Sequence, residues 1–182
     1  KQYGQRPFMF TTNGFDTWFW DDVEGPQRKV SCIHSKSDLE RLMSRRATKQ
    51  PLDEIAIDPA ITDRYYQQGA IRAVCEEVSR GERKHLLVMA TGTGKTRTAA
   101  SLTDVLSRGN HITNVLFLAD RTALVIQAKN DFRKYLPNMS LCNLCSSRDN
   151  RLARIVFSTY PTIMNAIDRA RNEDGSVLFT PG

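Results

Sequence analysis

Residues Leu86-Leu-Val-Met-Ala-Thr-Gly-Thr-Gly-Lys-Thr96 are an apolar run followed by a glycine-rich turn, and they say most about how this chain folds. Where a strand, such a turn and a helix follow each other, backbone N–H groups of the turn and helix N-terminus converge on an anion. Lys95 can then reach the β- and γ-phosphates of a nucleotide, and the Thr96 hydroxyl can bind Mg²⁺. The general sequence pattern of such phosphate-binding loops has a glycine five residues before Gly94, where this chain has Met89. The stretch predicts a nucleotide phosphate site made by Thr91, Gly92, Thr93, Gly94, Lys95 and Thr96.

On both sides of this stretch, amphipathic helices alternate with short apolar strands. The pattern predicts a helix from Asp63 to Gly81 and a second helix that follows the turn and ends by Gly109. Apolar strands separated by amphipathic helices are typical of a parallel sheet covered on both faces. We therefore expect residues 63–182 to form the first part of a doubly wound α/β domain. The remaining predicted elements are strands at Leu86–Met89, Val115–Leu118 and Arg154–Ser158, and helices over about 121–135 and 161–171.

The first fifty residues have a different pattern, which predicts an α+β segment. Two apolar stretches, Pro7–Thr12 and Asp16–Trp20, flank Asn13-Gly14, a dipeptide that favours the type I′ turn of a β-hairpin. A further strand is predicted at Val30–Ile33.

A helix and a linker are expected next. Ser37 and Glu40 have the spacing of a capping box, which predicts a helix ending near Arg45-Arg46. Residues 51–62 contain two prolines and no clear periodicity, and are predicted to be a linker.

Composition narrows the class of protein. The 182 residues are 40% hydrophobic and 25% charged, as in ordinary globular proteins. The apolar runs are far shorter than the ~18 residues of a membrane span, and no signal-peptide pattern opens the chain, so we expect neither a membrane nor a secreted protein. A net charge of +6 suits a polyanionic partner. Cys142 and Cys145 form a single C-x-x-C without a second pair, which favours reduced core or loop thiols over a metal site.

Two motifs indicate a nucleotide. Met89–Thr96 resembles motif I of superfamily 2 helicases and translocases, and Arg64-Tyr-Tyr-Gln67, about thirty residues upstream, resembles their Q motif. An amide at Gln67 can pair with N6 and N7 of adenine, so the resemblance implies that ATP is preferred to GTP and that Arg64 and Gln67 bind it.

Two further motifs indicate nucleic acid. Leu118-Ala-Asp-Arg121 resembles motif Ia, and Phe157–Thr162 resembles the strand-end motif that follows it in the same superfamily. The resemblance implies that Arg121 and Thr159 meet a nucleic-acid backbone at the carboxyl ends of strands. Taken singly, the Q, Ia and strand-end motifs also fit a solvated helix face, a helix cap and a strand end. Their order and spacing around the glycine-rich turn favour the superfamily.

The amino-acid sequence of the whole chain resembles that of the R (motor and nuclease) subunit of type I restriction enzymes. The resemblance is carried by the hairpin, the helix after it, motif I and Asp63-Arg-Tyr-Tyr-Gln-Gln68. It implies that residues 1–50 are the C-terminal part of a nuclease domain, with the nuclease residues upstream of Lys1, and that 63–182 begin a RecA-like helicase domain. The chain is then expected to be part of a longer polypeptide. Asp16, Asp21, Asp22 and Glu24 are interpreted as a solvated acidic loop and not as metal ligands.

The resemblance implies an activity as well. It is that of an ATP-dependent DNA translocase and type I site-specific deoxyribonuclease, in bacterial or archaeal cytoplasm, using ATP and Mg²⁺ on double-stranded DNA with methyltransferase and specificity subunits. The family's D-E-A-H box has no match in these 182 residues. We expect it after Gly182, so that the fragment alone is inactive. A superfamily 2 DNA repair helicase and a non-catalytic, nucleotide-gated DNA-binding module stay open as alternatives.

Overall fold

The structure is a computed structural model that describes residues 6–146 and 153–174, with side chains described up to Asp168 in the last helix. Its elements, in chain order, are β1 (Met9–Thr12), β2 (Thr17–Trp20), β3 (Arg28–Val30), α1 (Lys36–Thr48), α2 (Tyr65–Ser79), α3 (Lys95–Arg108), β4 (Val115–Ala119), α4 (Thr122–Tyr135), β5 (Leu141–Asn143), β6 (Ile155–Thr159) and α5 (Tyr160–Asp174). No helix of the described ranges is long and apolar enough to cross a membrane.

The N-terminal unit is an antiparallel sheet of order β1-β2-β3, followed by α1. Phe19 is buried at its centre, where its ring meets those of Phe8, Phe10 and His34 at 4.7–5.7 Å. The hairpin predicted around Asn13-Gly14 is therefore confirmed, since Thr12 pairs with Thr17.

Two local predictions for this unit are wrong in detail. The hairpin loop has four residues, and only Gly14 has a positive φ (+91°), so the turn is not type I′. Instead, the Asn13 side chain accepts bonds from the N–H groups of Phe15 and Asp16. The strand expected at Val30–Ile33 ends at Val30, because its pairing with β2 ends there.

Helix α1 begins one residue after Ser35, not at a Ser37 cap. The hydroxyl of Ser35 accepts a hydrogen bond from the backbone N–H of Asp38 at 3.2 Å and donates one to the Asp38 carboxylate at 2.7 Å. Ser35 and Asp38 have the same three-residue spacing as Ser37 and Glu40, so the sequence contains two competing caps. The earlier one is used, and the helix continues to Thr48.

The second unit is an α/β layer built on a parallel sheet of order β4-β6-β5. Val115 and Leu141 lie in register with Ile155 on either side of the central strand, whose five residues are all buried. Helix α4 packs on this sheet, with Phe132 at 5.6 Å from Phe117 and 5.1 Å from Phe157, measured between ring centroids. The parallel α/β fold predicted from the alternation is confirmed.

One predicted strand is absent from the described sheet. Residues Leu86–Met89 have no strand pairing, and Leu86 and Val88 are 86% and 87% exposed. A strand exists only through hydrogen bonds to a neighbour, and no described strand lies beside this segment. The face of β4 that carries Leu116 and Leu118 is also uncovered, since both side chains are half-exposed.

Helices α2 and α3 form a second small core with the segment that precedes them. Leu52 and Ile55 are buried there with Ile71 and Val105, and Arg72 donates to the carbonyls of Leu52 and Ile55 at 3.0 and 2.9 Å. Residues 51–62, expected to be a linker, thus form no helix or strand but are packed against the second unit.

Candidate nucleotide-binding site

The glycine-rich turn ends directly at the N-terminus of α3. Gly92 and Gly94 have φ angles of +80° and +86°, the left-handed region that only glycine adopts without strain. Gly94 is the N-cap of α3, which has neither a side-chain cap nor an acidic residue in its first turn. The first N–H groups of a helix lack internal partners, so this end offers donors and the positive end of the helix dipole to an anion.

Lys95 lies over this turn. Its ammonium group donates to the carbonyl of Ala90 at 3.1 Å and to that of Met89 at 3.4 Å. Among the described residues no carboxylate forms an ion pair with it, and the side chain is exposed. Neutral carbonyls hold a cation less strongly than phosphate oxygens do, so Lys95 is placed to exchange them for a phosphate.

Threonines complete the turn. Thr93 closes it by donating its hydroxyl to the Ala90 carbonyl at 2.6 Å. Thr91 is exposed at its tip, and Thr96 is partly exposed in the first turn of α3. The threonine hydroxyl is a hard oxygen ligand of the kind that Mg²⁺ accepts, and a Mg²⁺ held mainly by nucleotide phosphates and water needs few ligands from the protein.

Gln67 is part of the wall of this site. The side chain is 1% exposed, and its Nε2 donates to the carbonyl of Thr93 at 2.8 Å while its Oε1 accepts the hydroxyl of Thr62. A Cβ placed on Gly94 would lie 2.5 Å from that Nε2. The amide therefore connects the turn, through its Nε2, with Thr62 before α2, through its Oε1. Its pairing with adenine stays a prediction.

Two exposed neighbours extend this contact. The Tyr66 hydroxyl donates to the same Thr93 carbonyl at 3.2 Å and accepts from Arg64 at 2.8 Å. The bond to Tyr66 raises the pKa of the Arg64 guanidinium above its usual value, so it stays charged. The structure thus brings Arg64 and Gln67, predicted from the Q motif, to the turn predicted from motif I.

Sequence reasoning missed two residues that hold this arrangement. Thr62 is fully buried and binds Gln67, and Arg97 donates to the carbonyl of Ile61 and lies 3.7 Å from a carboxylate oxygen of Asp63. These contacts tie the start of α2 to the start of α3. The spacing of 36 residues between Ile61 and Arg97 leaves no local pattern that could reveal them.

The predicted nucleic-acid residues lie at the carboxyl ends of neighbouring strands. Ala119, the last residue of β4, is in register with Thr159 at the end of β6, and Arg121 caps the next helix. The Arg121 side chain is 81% exposed and meets Asp120 at 3.6 Å. Thr159 is 8% exposed and its hydroxyl shares a hydrogen bond with Thr162, so Arg121 is the accessible member of the pair.

The glycine-rich turn and the predicted nucleic-acid residues, Arg121 and Thr159, lie in two separate regions of the described part of the chain. No hydrogen bond or ion pair among its described residues joins the glycine-rich turn to Arg121 or Thr159. The C-x-x-C cysteines lie elsewhere, with Cys142 buried in β5 and Cys145 beside Thr162.

Comparison with known proteins places this chain among restriction enzymes. Residues 60–179 match the family described as type III restriction enzyme, res subunit. The chain is 33% identical over 147 residues to the type I restriction enzyme EcoKI endonuclease subunit of Escherichia coli strain K12, covering 72% of this chain and 12% of that protein. It is 36% identical over 146 residues to the EcoAI endonuclease subunit of Escherichia coli, covering 71% and 18%.

Two other similarities are weaker. UvrABC system protein B of Micrococcus luteus is 39% identical over 72 residues, covering 40% of this chain and 9% of that protein. A solved fragment described as a putative HsdR subunit of a type I restriction enzyme from Vibrio vulnificus is 22% identical with a TM-score of 0.46, covering 89% of this chain and 30% of that one. The chain therefore spans less than a fifth of the two endonuclease subunits it matches.

Proposed function

The chain belongs to the family of type III restriction enzyme res subunits, and from this premise we propose that it is the ATP-binding part of a DNA-translocating motor in a type I restriction enzyme. The observation that carries the proposal is the glycine-rich turn at the uncapped N-terminus of α3, with the Lys95 ammonium group on backbone carbonyls. Converging N–H donors and an exposed lysine suit the triphosphate of a nucleotide.

Each residue of the site has a task in this proposal. Lys95 leaves the carbonyls of Met89 and Ala90 and neutralises charge on the β- and γ-phosphates, while the N–H groups of the turn and of α3 bind the remaining oxygens. Thr96 supplies one ligand to Mg²⁺, which screens the phosphate charge when bound. Gln67 keeps the Thr93 carbonyl turned toward α2, so that the N–H groups of the turn stay directed outward.

Arg121 belongs to the DNA-binding side of the proposal. Its exposed guanidinium at the carboxyl end of β4 is suited to a backbone phosphate, a contact that carries no base information. The choice of DNA sequence therefore falls to partner subunits, which we propose are the methyltransferase and specificity subunits of the same complex. Residues 1–50 are, in this proposal, the end of the nuclease domain.

A DNA repair helicase is the second candidate, and the similarity to UvrABC system protein B favours it. That similarity covers 40% of the chain, against 72% and 71% for the two endonuclease subunits, so the restriction motor is the better-supported function. The two are separated by assaying the longer protein for strand separation on a forked duplex and for displacement of a triplex strand from an intact duplex. Displacement of the triplex strand without strand separation would support the restriction motor, and strand separation would support the helicase.

The Lys95→Ala variant of the longer protein tests the proposal directly. Because the charge of the γ-phosphate is left uncompensated, ATP turnover and DNA cleavage should both be abolished while DNA binding is retained. Lys134→Ala, at an exposed position of α4, is the matched control and should behave as the parent. Near-normal ATP turnover by Lys95→Ala would remove the assignment of the turn.

A further inference from the structure

A narrow cleft lies where the N-terminal unit meets the loop after α2. Three arginines from three different elements line it: Arg28 of β3, Arg45 of α1 and Arg83 of the loop that leads to the glycine-rich turn. The ring of Phe19 forms one wall, with the Arg28 guanidinium 5.2 Å from its centroid. We call this the three-arginine cleft.

Two carboxylates, those of Asp21 and Glu24, also line the cleft, and each is paired with a cation that does not line it. Asp21 is 5% exposed and binds Arg46 through both of its oxygens. The Glu24 carboxylate pairs with the ammonium group of Lys49 at 2.8 Å, whereas the Arg45 guanidinium is 3.8 Å away. Each of the two acidic side chains therefore has a closer partner than the arginines of the cleft.

Hydrogen-bond donors are left over as a result. Within the described ranges, neither Arg28 nor Arg83 forms an ion pair, and the Nε of Arg45 is buried without a hydrogen-bond partner. Burial, followed by the charges of Arg83 and Arg45, lowers the pKa of Arg28, and only Asp21 opposes this. An arginine stays charged at any physiological pH, and the two carboxylates in the lining offset only part of the charge of the three arginines, so a further anion would relieve the remaining repulsion.

We propose that the three-arginine cleft binds a phosphate group, supplied by a nucleic-acid backbone or by inorganic phosphate. Guanidinium groups present planar pairs of N–H donors that match phosphate oxygens, and three of them converge here from separate elements. The cleft is narrow and lined by guanidinium groups, so it suits a small anion rather than a nucleotide base. The proposal does not depend on ATP binding at Lys95.

A phosphate bound here would link the two units. Gly25, in the loop before β3, lies against the other unit, since a Cβ on it would be 3.7 Å from the carbonyl of Gly81. Arg83 lies two residues after Gly81 and eight residues before Thr91 of the glycine-rich turn. The anion would therefore fasten the N-terminal unit to the segment that enters the nucleotide site.

Thermal unfolding with inorganic phosphate is the first test. The chain is used with Lys95→Ala, so that phosphate binding at the glycine-rich turn does not contribute, and sodium chloride of equal ionic strength is the reference. Saturating phosphate should raise the Tm by roughly 2–4 °C, the size of shift that ligand binding gives in a domain of this length. Adding Arg28→Gln or Arg83→Gln should remove the rise, and adding Arg133→Gln, an exposed arginine of α4, should not.

Duplex DNA supplies the second test. If a backbone phosphate enters the cleft, Arg28→Gln and Arg83→Gln should each reduce the slope of log K against log salt concentration by about 0.9, with Arg133→Gln unchanged. If phosphate raises the Tm but the variants leave the salt slope of DNA binding unchanged, the ligand of the cleft is free phosphate. If the variants reduce the salt slope, the ligand is a backbone phosphate of DNA. The Arg83→Gln variant changes an exposed loop residue, so it answers the question even where Arg28→Gln fails to fold. If both measurements leave Arg83→Gln and the parent alike, the proposal is overturned.

Discussion

Gln67 is buried against the glycine-rich turn, and its role in choosing ATP is a prediction. Its amide is bound to Thr62 and to the Thr93 carbonyl, so it contacts the turn directly. If the amide exchanges its bond with Thr62 for a pair with N6 and N7 of adenine, Gln67→Ala should lose about 1–3 kcal/mol of the preference for ATP over GTP, the scale of a bidentate amide–adenine pair. Competition titrations of ATP against GTP measure this. Gln68→Ala, which loses a bond to Thr62 but none to the turn, is the control. Equal weakening of both nucleotides would show that Gln67 acts only by bracing the turn.

Two glycines offer a matched pair of substitutions. Gly94 has a φ of +86° and faces Gln67, whereas Gly69 lies in α2, where an added Cβ would meet nothing within 4 Å. Gly94→Ala should lower the free energy of unfolding by about 1–2 kcal/mol or more, because an L-residue is strained there. Gly69→Ala should raise it by roughly 0.5–1 kcal/mol through helix propensity. Urea denaturation compares them, and equal effects of the two would contradict the geometry.

The position of Arg121 depends on strand β4. The strand ends at Ala119 beside β6, and Arg121 is the N-cap residue of α4, which begins directly afterwards. Arg121→Ala in the chain should weaken binding to duplex DNA equally on unrelated sequences and reduce the salt slope by about 1, because a backbone phosphate contact is lost. Titrations at several salt concentrations test this, with Arg133→Ala on the same helix as the control. A loss confined to one DNA sequence would falsify the backbone assignment.

The 182 residues contain the glycine-rich turn that we propose binds ATP but no Asp-Glu-x-His sequence to position an attacking water. We expect the purified 182-residue chain to bind Mg·ATP weakly and to show no ATP hydrolysis that duplex DNA stimulates. Its binding to DNA should be weak, independent of sequence and reduced by salt. A coupled ATPase assay with and without duplex measures the first point, and DNA-stimulated turnover would show that the chain holds a catalytic group that the sequence does not reveal.

The turn, the helix after it and the parallel sheet could be predicted from sequence patterns alone. These features depend on local patterns: glycines at positions of positive φ, and apolar strands between amphipathic helices. The strand β5 escaped prediction because three residues are too short for a pattern, and Leu86–Met89 was predicted as a strand because its apolar run says nothing about a neighbouring strand.

The surroundings of the candidate site could not be predicted in this way, because they depend on the packing of distant segments. Gln67 reaches Thr93 across 26 residues, and the three-arginine cleft joins Arg28, Arg45 and Arg83 from β3, α1 and a loop. Such contacts form because packing brings distant segments together, and neither residue type nor spacing records which segments will meet. A sequence motif can therefore name the residues that meet a phosphate, while the partners that hold those residues in place are fixed by the packing of helices and sheets.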